Sequence, residues 1–224
     1  TGGAASSTWN EVDNWIFIGQ IDDVYTGDED FHLSEDGNRI LVHSTVNEYL
    51  AVFEYDNDTW TQVGDDIVAA ITTSNNNISM NLDGTVVGTV TPTTGKVYIF
   101  EENNSEWASR VDPFETINNC CVTGFDMDID GNVIAVGYSD AVMVKAYNGY
   151  DQYETIATYS LAANGLSPTE GLWQNQVKNL RISSHSNTVG TPINSSHHSN
   201  IYILTGYWDN DGEIPILGIE WNED

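Results

Sequence analysis

The dipeptide Asp-Gly recurs in this chain at a fixed spacing of 47 residues, at Asp36-Gly37, Asp83-Gly84 and Asp130-Gly131. Apolar residues keep the same spacing around it. Aligned sets are Phe31, Ile78 and Phe125; Leu33, Met80 and Met127; Ile40, Val87 and Ile134; and Phe53, Phe100 and Tyr147. A period in the 40s with one turn dipeptide per unit predicts a row of similar β-sheets.

Each unit has room for four strands. In the first unit, apolar stretches follow Asp36-Gly37 at Arg39 to Ser44, Tyr49 to Tyr55 and Trp60 to Ile67. Each Asp-Gly is expected in a type I′ turn, in which both central residues have positive φ. The sequence predicts an all-β, β-propeller-like array of four four-stranded antiparallel blades in a single domain. The expected blades are 31–67, 78–115, 125–160 and 179–221.

A surplus strand precedes the first blade. Residues 1–14 are expected to be a flexible lead-in, and 15–30 an orphan strand with an acidic linker. The strand Trp15-Ile16-Phe17-Ile18-Gly19 matches Trp60-Thr61-Gln62-Val63-Gly64, the fourth strand of the first blade. Because Ile214 to Gly218 is interpreted as the fourth strand of the last blade, we expect the orphan to add an edge strand or to pair with a neighbouring chain. The predicted assembly residues are Trp15, Phe17, Ile18 and Gly19.

The charge balance excludes several partners. The chain has 34 Asp and Glu against six Lys and Arg, for a formal charge of −28. Nucleic acid and anionic membrane surfaces would be repelled. Salt or divalent cations would screen the self-repulsion, which favours an extracellular setting. No apolar run reaches the roughly 18 residues of a membrane span. The start at Thr1 fits either a mature secreted chain or a fragment.

Two further features are typical of secreted proteins. Glycosylation is predicted at the four Asn-x-Ser/Thr sequons, at Asn57, Asn77, Asn103 and Asn194. The two cysteines, Cys120 and Cys121, are adjacent, so together they could close only a strained vicinal disulfide. The alternatives are two small linker residues or a covalent link to another chain.

A calcium loop is one interpretation of Asp126-Met127-Asp128-Ile129-Asp130-Gly131, because alternating carboxylates and a Gly turn let hard oxygens converge. The predicted ligands are Asp126, Asp128 and Asp130. The alternative is an ordinary hairpin, since Asp130-Gly131 is the repeat's own turn. No other cofactor is predicted. The acidic residues around Tyr25 are expected to form a solvated loop, or a weak cation site.

The repeat resembles a known family. Asp130-Gly131-Asn132 followed by Ile134-Ala135-Val136-Gly137 and Val142-Met143-Val144 resembles the FG-GAP-like repeats of integrin-type β-propellers. Val52-Phe53-Glu54-Tyr55 followed by Trp60 is similar to repeats of secreted proteins from marine bacteria and microalgae. The resemblance covers residues 31–160 and implies blades, an extracellular setting, and a binding or adhesive role.

The sequence contains no Gly-x-Ser-x-Gly, His-Glu-x-x-His or phosphate-loop motif, so no catalytic residue is predicted. We therefore expect an extracellular, non-enzymatic structural protein that self-associates into a surface coat, matrix or filament. The alternative is a carbohydrate-binding or cell-adhesion module, with or without calcium. The expected partners are copies of the same chain, or glycans in the alternative.

Overall fold

The structure is a computed structural model that describes residues 21, 30–34, 36–44, 47–68, 77–91, 94–115, 122, 124–138, 141–160, 178–184, 200–206 and 216–222. Of the last three ranges, the backbone path is described. The described residues form an all-β protein with antiparallel sheets, as predicted. No helix among them is long and apolar enough to cross a membrane.

The strands fall into four sheets in chain order. Sheet 1 contains β1 (Asp30–Leu33), β2 (Arg39–Ser44), β3 (Tyr49–Asp56) and β4 (Thr59–Gln62). Sheet 2 contains β5 (Ile78–Met80), β6 (Val86–Val90), β7 (Lys96–Asn103) and β8 (Glu106–Ser109), with β9 (Phe114–Glu115) also on β7. Sheet 3 contains β10 (Gly124–Met127), β11 (Val133–Gly137), β12 (Ala141–Tyr147) and β13 (Tyr153–Ser160). Sheet 4 contains β14 (Lys178–Ser184), β15 (Asn200–Gly206) and β16 (Ile216–Asn222).

Sheet 4 differs from the prediction for the last blade. The segment Ile214 to Gly218 was expected to form a fourth strand, but β16 is the third strand in the order β14-β15-β16. The reason is that β15 pairs with β14 on one side and with β16 on the other. Among the described residues, no strand lies beyond β16, whereas sheets 1 to 3 each have a fourth strand.

The Asp-Gly turns are not of type I′, contrary to the expectation. φ is positive at Gly37, Gly84 and Gly131 (+76°, +70° and +67°) but not at the aspartates before them. In the first turn, the N–H groups of Ser34 and Gly37 donate to the carbonyls of Arg39 and Ser34 at 2.9 and 3.0 Å. These bonds close a four-residue loop that needs the left-handed conformation only at its glycine.

Type I′ geometry occurs instead in the outer hairpins. Asn57 and Asp58 both have positive φ between β3 and β4, and Asn104 and Ser105 do so between β7 and β8. Both loops have two residues, because Asp56 pairs with Thr59 and Asn103 pairs with Glu106. Asn and Asp tolerate the left-handed region better than most residues, which explains the turn chemistry.

Two apolar clusters hold the sheets together. Leu41, Leu50 and Val52 of sheet 1 pack with Ile78, Met80, Val87 and Phe100 of sheet 2. The second cluster joins sheet 2 to sheet 3, and its members from these sheets are Val86, Val90, Val97, Ile99, Phe125, Met127, Ile134, Val136, Met143 and Tyr153. β14 of sheet 4 packs against β10 and β11 of sheet 3. The sheets therefore stack in chain order.

Candidate interaction surface

The residue two positions before each Asp-Gly accepts, through its side chain, a hydrogen bond that stabilises the turn. Ser34, Asn81 and Asp128 lie 47 residues apart and each accepts a hydrogen bond from the backbone N–H five residues later. The three donor–acceptor distances are all 2.9 Å. The Asp128 carboxylate also accepts from the Asn132 backbone N–H at 2.7 Å. Asp128 therefore serves the turn, in the place where the other two repeats use neutral residues.

Asp126 links two sheets. Its Oδ1 accepts a hydrogen bond from Ser79 Oγ at 2.7 Å, and Ser79 Oγ accepts one from the Met127 N–H at 3.2 Å. Both side chains are buried, with relative exposures of 4% for Asp126 and 0% for Ser79. The buried pair fastens β5 to β10 and places the serine hydroxyl out of reach of a substrate.

The predicted calcium ligands are not assembled into a metal site. Among the described residues, no group of three or more His, Cys, Asp or Glu side chains is placed to hold a metal ion. Asp126 and Asp128 direct oxygens into buried hydrogen bonds, while Asp130 is half-buried in the turn. Because these oxygens bind hydroxyl and backbone donors, the hairpin accounts for the motif.

Several predicted sites lie outside the described residues. They are Trp15, Phe17, Ile18 and Gly19 of the orphan strand, Cys120 and Cys121, the sequon at Asn194, and the acidic residues 22–29.

The sequons differ in accessibility. Asn57 and Asn103 are exposed at the outer hairpins of sheets 1 and 2, so the fold leaves both amides accessible. Asn77, in contrast, is only 6% exposed, and its carbonyl accepts a hydrogen bond from the Val90 N–H at 3.1 Å. A glycan on Asn77 would have to displace the packing around it, so the buried position of Asn77 argues against the predicted glycosylation there.

Arg39 bridges sheets 1 and 2. Its Nη1 donates to the carbonyl of Gly84, in the turn of sheet 2, at 3.3 Å, and lies 2.5 Å from Glu102 Oε2. Its Nε lies 3.2 Å from Glu54 Oε1. Burial lowers the pKa of Arg39, but its two carboxylate partners outweigh this and raise it. The guanidinium stays charged and holds the turn of the next sheet.

Arg110 makes the corresponding bridge between sheets 2 and 3. Its Nη1 donates to the carbonyl of Gly131 at 2.7 Å, and its Nη2 donates to Asn132 Oδ1 at 2.7 Å. Tyr153 Oη donates to the same Gly131 carbonyl, and burial raises the pKa of this phenol. The guanidinium also lies 4.1 Å from the centre of the Tyr147 ring. Two of the three arginines thus serve neighbouring turns.

Sequence reasoning missed these bridges because the two arginines come from different strands. Arg39 begins β2, whereas Arg110 follows β8, so they do not share the 47-residue spacing. The signal in the sequence was the rarity of arginine, because the chain has only three arginines beside 34 acidic residues.

An open polar cavity of about 560 Å³ lies between the turns of sheets 1 and 2. Its lining comprises Asp36, Asn38, Arg39, Glu54, Tyr55, Asp56, Asp83 and Thr85. The Ser34 hydroxyl and the Asn38 backbone N–H hold the pKa of Asp36 below its usual value. The cavity therefore offers several hydrogen-bond acceptors, with one charge-paired guanidinium and the ring of Tyr55 beside them.

The side of sheet 1 that faces away from sheet 2 carries exposed apolar residues. Phe31 pairs with Val42 and Leu33 with Ile40, and directly opposed residues share a face. Phe31 is 71% exposed and Leu33 is 51% exposed. At the equivalent positions of sheets 2 and 3, all four residues are 2–5% exposed. We call this side of sheet 1, marked by Phe31 and Leu33, the open face.

The outer part of the open face is already covered. Val42, Ala51 and Phe53 are buried there, and Ile21, Ile40, Tyr49 and Trp60 pack against them. Ile21 is the described residue nearest the predicted orphan strand. The exposure is therefore concentrated on the first strand, β1.

Comparisons with known proteins identify no family. No family model matches the chain, and no curated protein matches it. Similar solved structures include a functionally unknown protein from Desulfotomaculum acetoxidans, 14% identical, with a TM-score of 0.50 over 83% of this chain and 55% of that one. The Pseudomonas aeruginosa periplasmic gluconolactonase is 13% identical, with a TM-score of 0.47 over 86% and 53%. A proposed 6-phosphogluconolactonase from Bacteroides uniformis is 11% identical, with a TM-score of 0.46 over 87% and 54%.

The prediction that the chain is not an enzyme is corrected, because the similar solved structures include a gluconolactonase and a proposed 6-phosphogluconolactonase. That prediction rested on missing motifs, which say little when active-site residues come from separate strands. At such low identity the first similarity shows the fold alone, and the two others assign no activity to this chain. The chain spans about 55% of the length of the structures that it matches.

Proposed function

We propose that the chain is a β-propeller-like array of four repeated blades that associates with further copies of itself through the open face. One observation carries this proposal: Phe31 and Leu33 are 71% and 51% exposed, where their equivalents are buried against a preceding sheet. Adjacent exposed apolar residues on a first strand, in a repeat whose other first strands are covered, are typical of an interaction site.

The charge of the chain sets the conditions for association. At −28, two copies repel each other in dilute buffer, and salt or divalent cations reduce this repulsion. An extracellular setting, such as a surface coat, matrix or filament, would supply them. The resemblance to FG-GAP-like repeats supports the same setting.

The test is the sedimentation of the purified chain at about 0.01 M and about 1 M NaCl, where the screening lengths are about 30 and 3 Å. We expect monomer at low salt and concentration-dependent larger species at high salt. The variant Phe31→Ser/Leu33→Ser should remain monomeric at both. Monomeric wild-type chain under every condition would contradict the proposal.

A matched control uses exposed apolar residues outside β1. Val68 is 80% exposed and Tyr150 is 77% exposed. The variant Val68→Ser/Tyr150→Ser removes comparable exposed apolar surface and should associate like the wild type. If it also loses association, general surface hydrophobicity, rather than the open face, is responsible.

A carbohydrate-binding module is the second candidate, and the polar cavity favours it. Carboxylate and amide oxygens beside Tyr55 suit a ligand with many hydroxyl groups. A glycan array with and without chelator tests this candidate. Tyr55→Ala should abolish any signal, and an unchanged signal would place the binding elsewhere.

A further inference from the structure

Two arginines make the same contact at two successive turns, although they come from different strands. Arg39 Nη1 donates to the carbonyl of Gly84 at 3.3 Å, and Arg110 Nη1 donates to the carbonyl of Gly131 at 2.7 Å. Gly84 and Gly131 hold the same position in their turns, 47 residues apart. In each case, a guanidinium from the preceding sheet binds the turn carbonyl of the next sheet.

Each of these arginines is also positioned by an acidic residue of its own sheet. Arg39 Nε lies 3.2 Å from Glu54 Oε1, and Arg110 Nε lies 3.8 Å from Glu101 Oε2. Glu54 and Glu101 are again one repeat apart. Because two arginines at unrelated positions reach one geometry, the turn carbonyl itself favours a guanidinium.

The turn of sheet 3 binds its guanidinium with two acceptors. Besides the Gly131 carbonyl, Asn132 Oδ1 accepts a hydrogen bond from Arg110 Nη2 at 2.7 Å. Arg110 Cζ lies 4.1 Å from the ring centre of Tyr147. The planar fork of arginine reaches both acceptors and stacks on the ring, whereas the ammonium of lysine is a point charge. The turn of sheet 3 therefore selects arginine over lysine.

The turn of sheet 1 has the same residues. Asp36-Gly37-Asn38 matches Asp130-Gly131-Asn132 two repeats later, and Phe53 aligns with Tyr147. Phe53 belongs to the apolar cluster of the open face. Asn38 Nδ2 donates to Asp36 Oδ2 at 3.1 Å, so the amide oxygen of Asn38 points away from that carboxylate. The acceptors that bind Arg110 in sheet 3 are thus present in sheet 1, beside an additional negative charge.

The turn of sheet 1 differs from its two equivalents in accessibility. A Cβ built on Gly84 or on Gly131 would lie 2.8 Å from a side-chain atom of the preceding sheet. At Gly37, nothing lies within 4 Å of the same position. Asp36 and Asn38, on either side of this glycine, are exposed. A guanidinium can therefore approach this turn from outside the chain.

We propose that the Gly37 carbonyl and Asn38 Oδ1 form a binding site for the guanidinium of an arginine on a second polypeptide. This inference rests on the proposed function, since the sheet that covers the apolar side of sheets 2 and 3 is also the one that brings the arginine to their turns. It adds a chemical requirement to the partner, which must carry an arginine beside its apolar surface.

A titration of the dilute, isotope-labelled chain by nuclear magnetic resonance tests the site. The probes are N-acetyl-arginine methylamide and N-acetyl-lysine methylamide, which have equal charge and differ in the planar fork. We expect arginine-selective shifts at Gly37 and at the Asn38 side-chain amide. Gly84 and Gly131 are internal controls and should not respond, because each already binds an arginine of the chain.

Variants of Asn38 sharpen the titration. Asn38→Ala removes one acceptor from a charged hydrogen bond and should weaken arginine binding about tenfold or more, whereas Asn38→Asp should keep the selectivity. Asn103→Ala changes an exposed asparagine of the outer hairpin and should bind arginine like the wild type. Equal shifts with both probes would overturn the inference, because they would report only the net charge of the chain. Wild-type arginine binding by Asn38→Ala would overturn it as well.

Sedimentation of Asn38→Ala under the associating conditions identifies the source of the arginine. Weaker association than that of the wild type shows that another copy supplies it. Unchanged association, together with arginine-selective shifts in the wild type, shows that a different polypeptide supplies it.

The outcomes also separate the inference from the proposed function. If the wild type associates through Phe31 and Leu33 but shows no arginine selectivity, the guanidinium site is wrong and the proposed function stands. If the wild type never associates, the proposed function fails. The titration then still decides the guanidinium site, because it is performed on the monomer.

Discussion

The interface between sheets 2 and 3 and the open face of sheet 1 are built from the same kinds of residue but have opposite exposure. Phe125 and Met127 are 2% and 4% exposed against sheet 2, while Phe31 and Leu33 are 71% and 51% exposed. Since the strand pairing around them is the same, the difference comes from the neighbour. In a stacked repeat, each face is stable only when another sheet covers it.

The two regions also differ in polar fastening. The interface between sheets 2 and 3 contains the Ser79–Asp126 pair and the Arg110 bridge to the turn of sheet 3. Both kinds of contact depend on an adjacent sheet that supplies donors. The interface between sheets 2 and 3 is thus held by apolar burial together with directional hydrogen bonds. On the open face, the apolar residues Phe31 and Leu33 are exposed.

Truncating the phenylalanine side chain on the first strand of sheet 3 or of sheet 1 should give the largest contrast in the free energy of unfolding. Phe125→Ala removes a buried ring and should lower the free energy of unfolding by about 3–5 kcal/mol. Phe31→Ala, at the equivalent position, should lower it by about 0.5 kcal/mol or less in dilute monomer, because the ring is already solvated. Urea unfolding below the association threshold measures both. Equal losses would mean that Phe31 is covered in the monomer.

Removing the Arg110 bridge should have the next largest effect. Arg110→Ala leaves the Gly131 carbonyl without its charged donor and should cost about 2–3 kcal/mol in unfolding free energy. Arg110→Lys keeps the charge but loses the planar fork, so it should recover only part of this. Urea unfolding of the two variants gives the comparison. Full recovery by lysine would show that charge alone matters.

The turn glycines provide a matched pair. Gly37 and Gly131 both have positive φ, so alanine introduces similar backbone strain at each. A Cβ on Gly131 would lie 2.8 Å from Val86 Cβ, whereas nothing lies within 4 Å at Gly37. Gly131→Ala should therefore be less stable than Gly37→Ala by about 1–3 kcal/mol, the usual cost of overpacking. Thermal unfolding of both variants measures the difference, and equal stabilities would show that Val86 moves aside freely.

The smallest effect is expected at Asp128. Asp128→Asn keeps an oxygen that can accept from the Val133 N–H, as Asn81 does for Val86 in sheet 2. We expect a loss below about 1 kcal/mol, close to that of one ordinary hydrogen bond. Calorimetric titration with calcium completes the test. Calcium binding by the wild type that is lost in Asp128→Asn would revive the metal interpretation.

The 47-residue spacing of apolar residues predicted the sheets because the aligned residues occupy equivalent strands of sheets 1 to 3. It could not predict the type of the Asp-Gly turn, since one dipeptide fits loops of two or four residues. The sequence left calcium ligation by Asp126, Asp128 and Asp130 open beside an ordinary hairpin, because a carboxylate that binds a backbone N–H looks the same in sequence as a metal ligand. Nor does sequence reveal burial, which distinguishes Asn77 from Asn57 and Phe31 from Phe125.

The central claim is that sheet 1 ends in an uncovered face that another copy completes. Hydrogen–deuterium exchange at low and high protein concentration, in about 1 M NaCl, tests it most directly. We predict that the protection of β1 rises with concentration, while the protection of β5 and β10 stays constant. If β1 is as protected as β5 in the dilute chain, and does not change with concentration, the face is closed within one copy and the account is wrong.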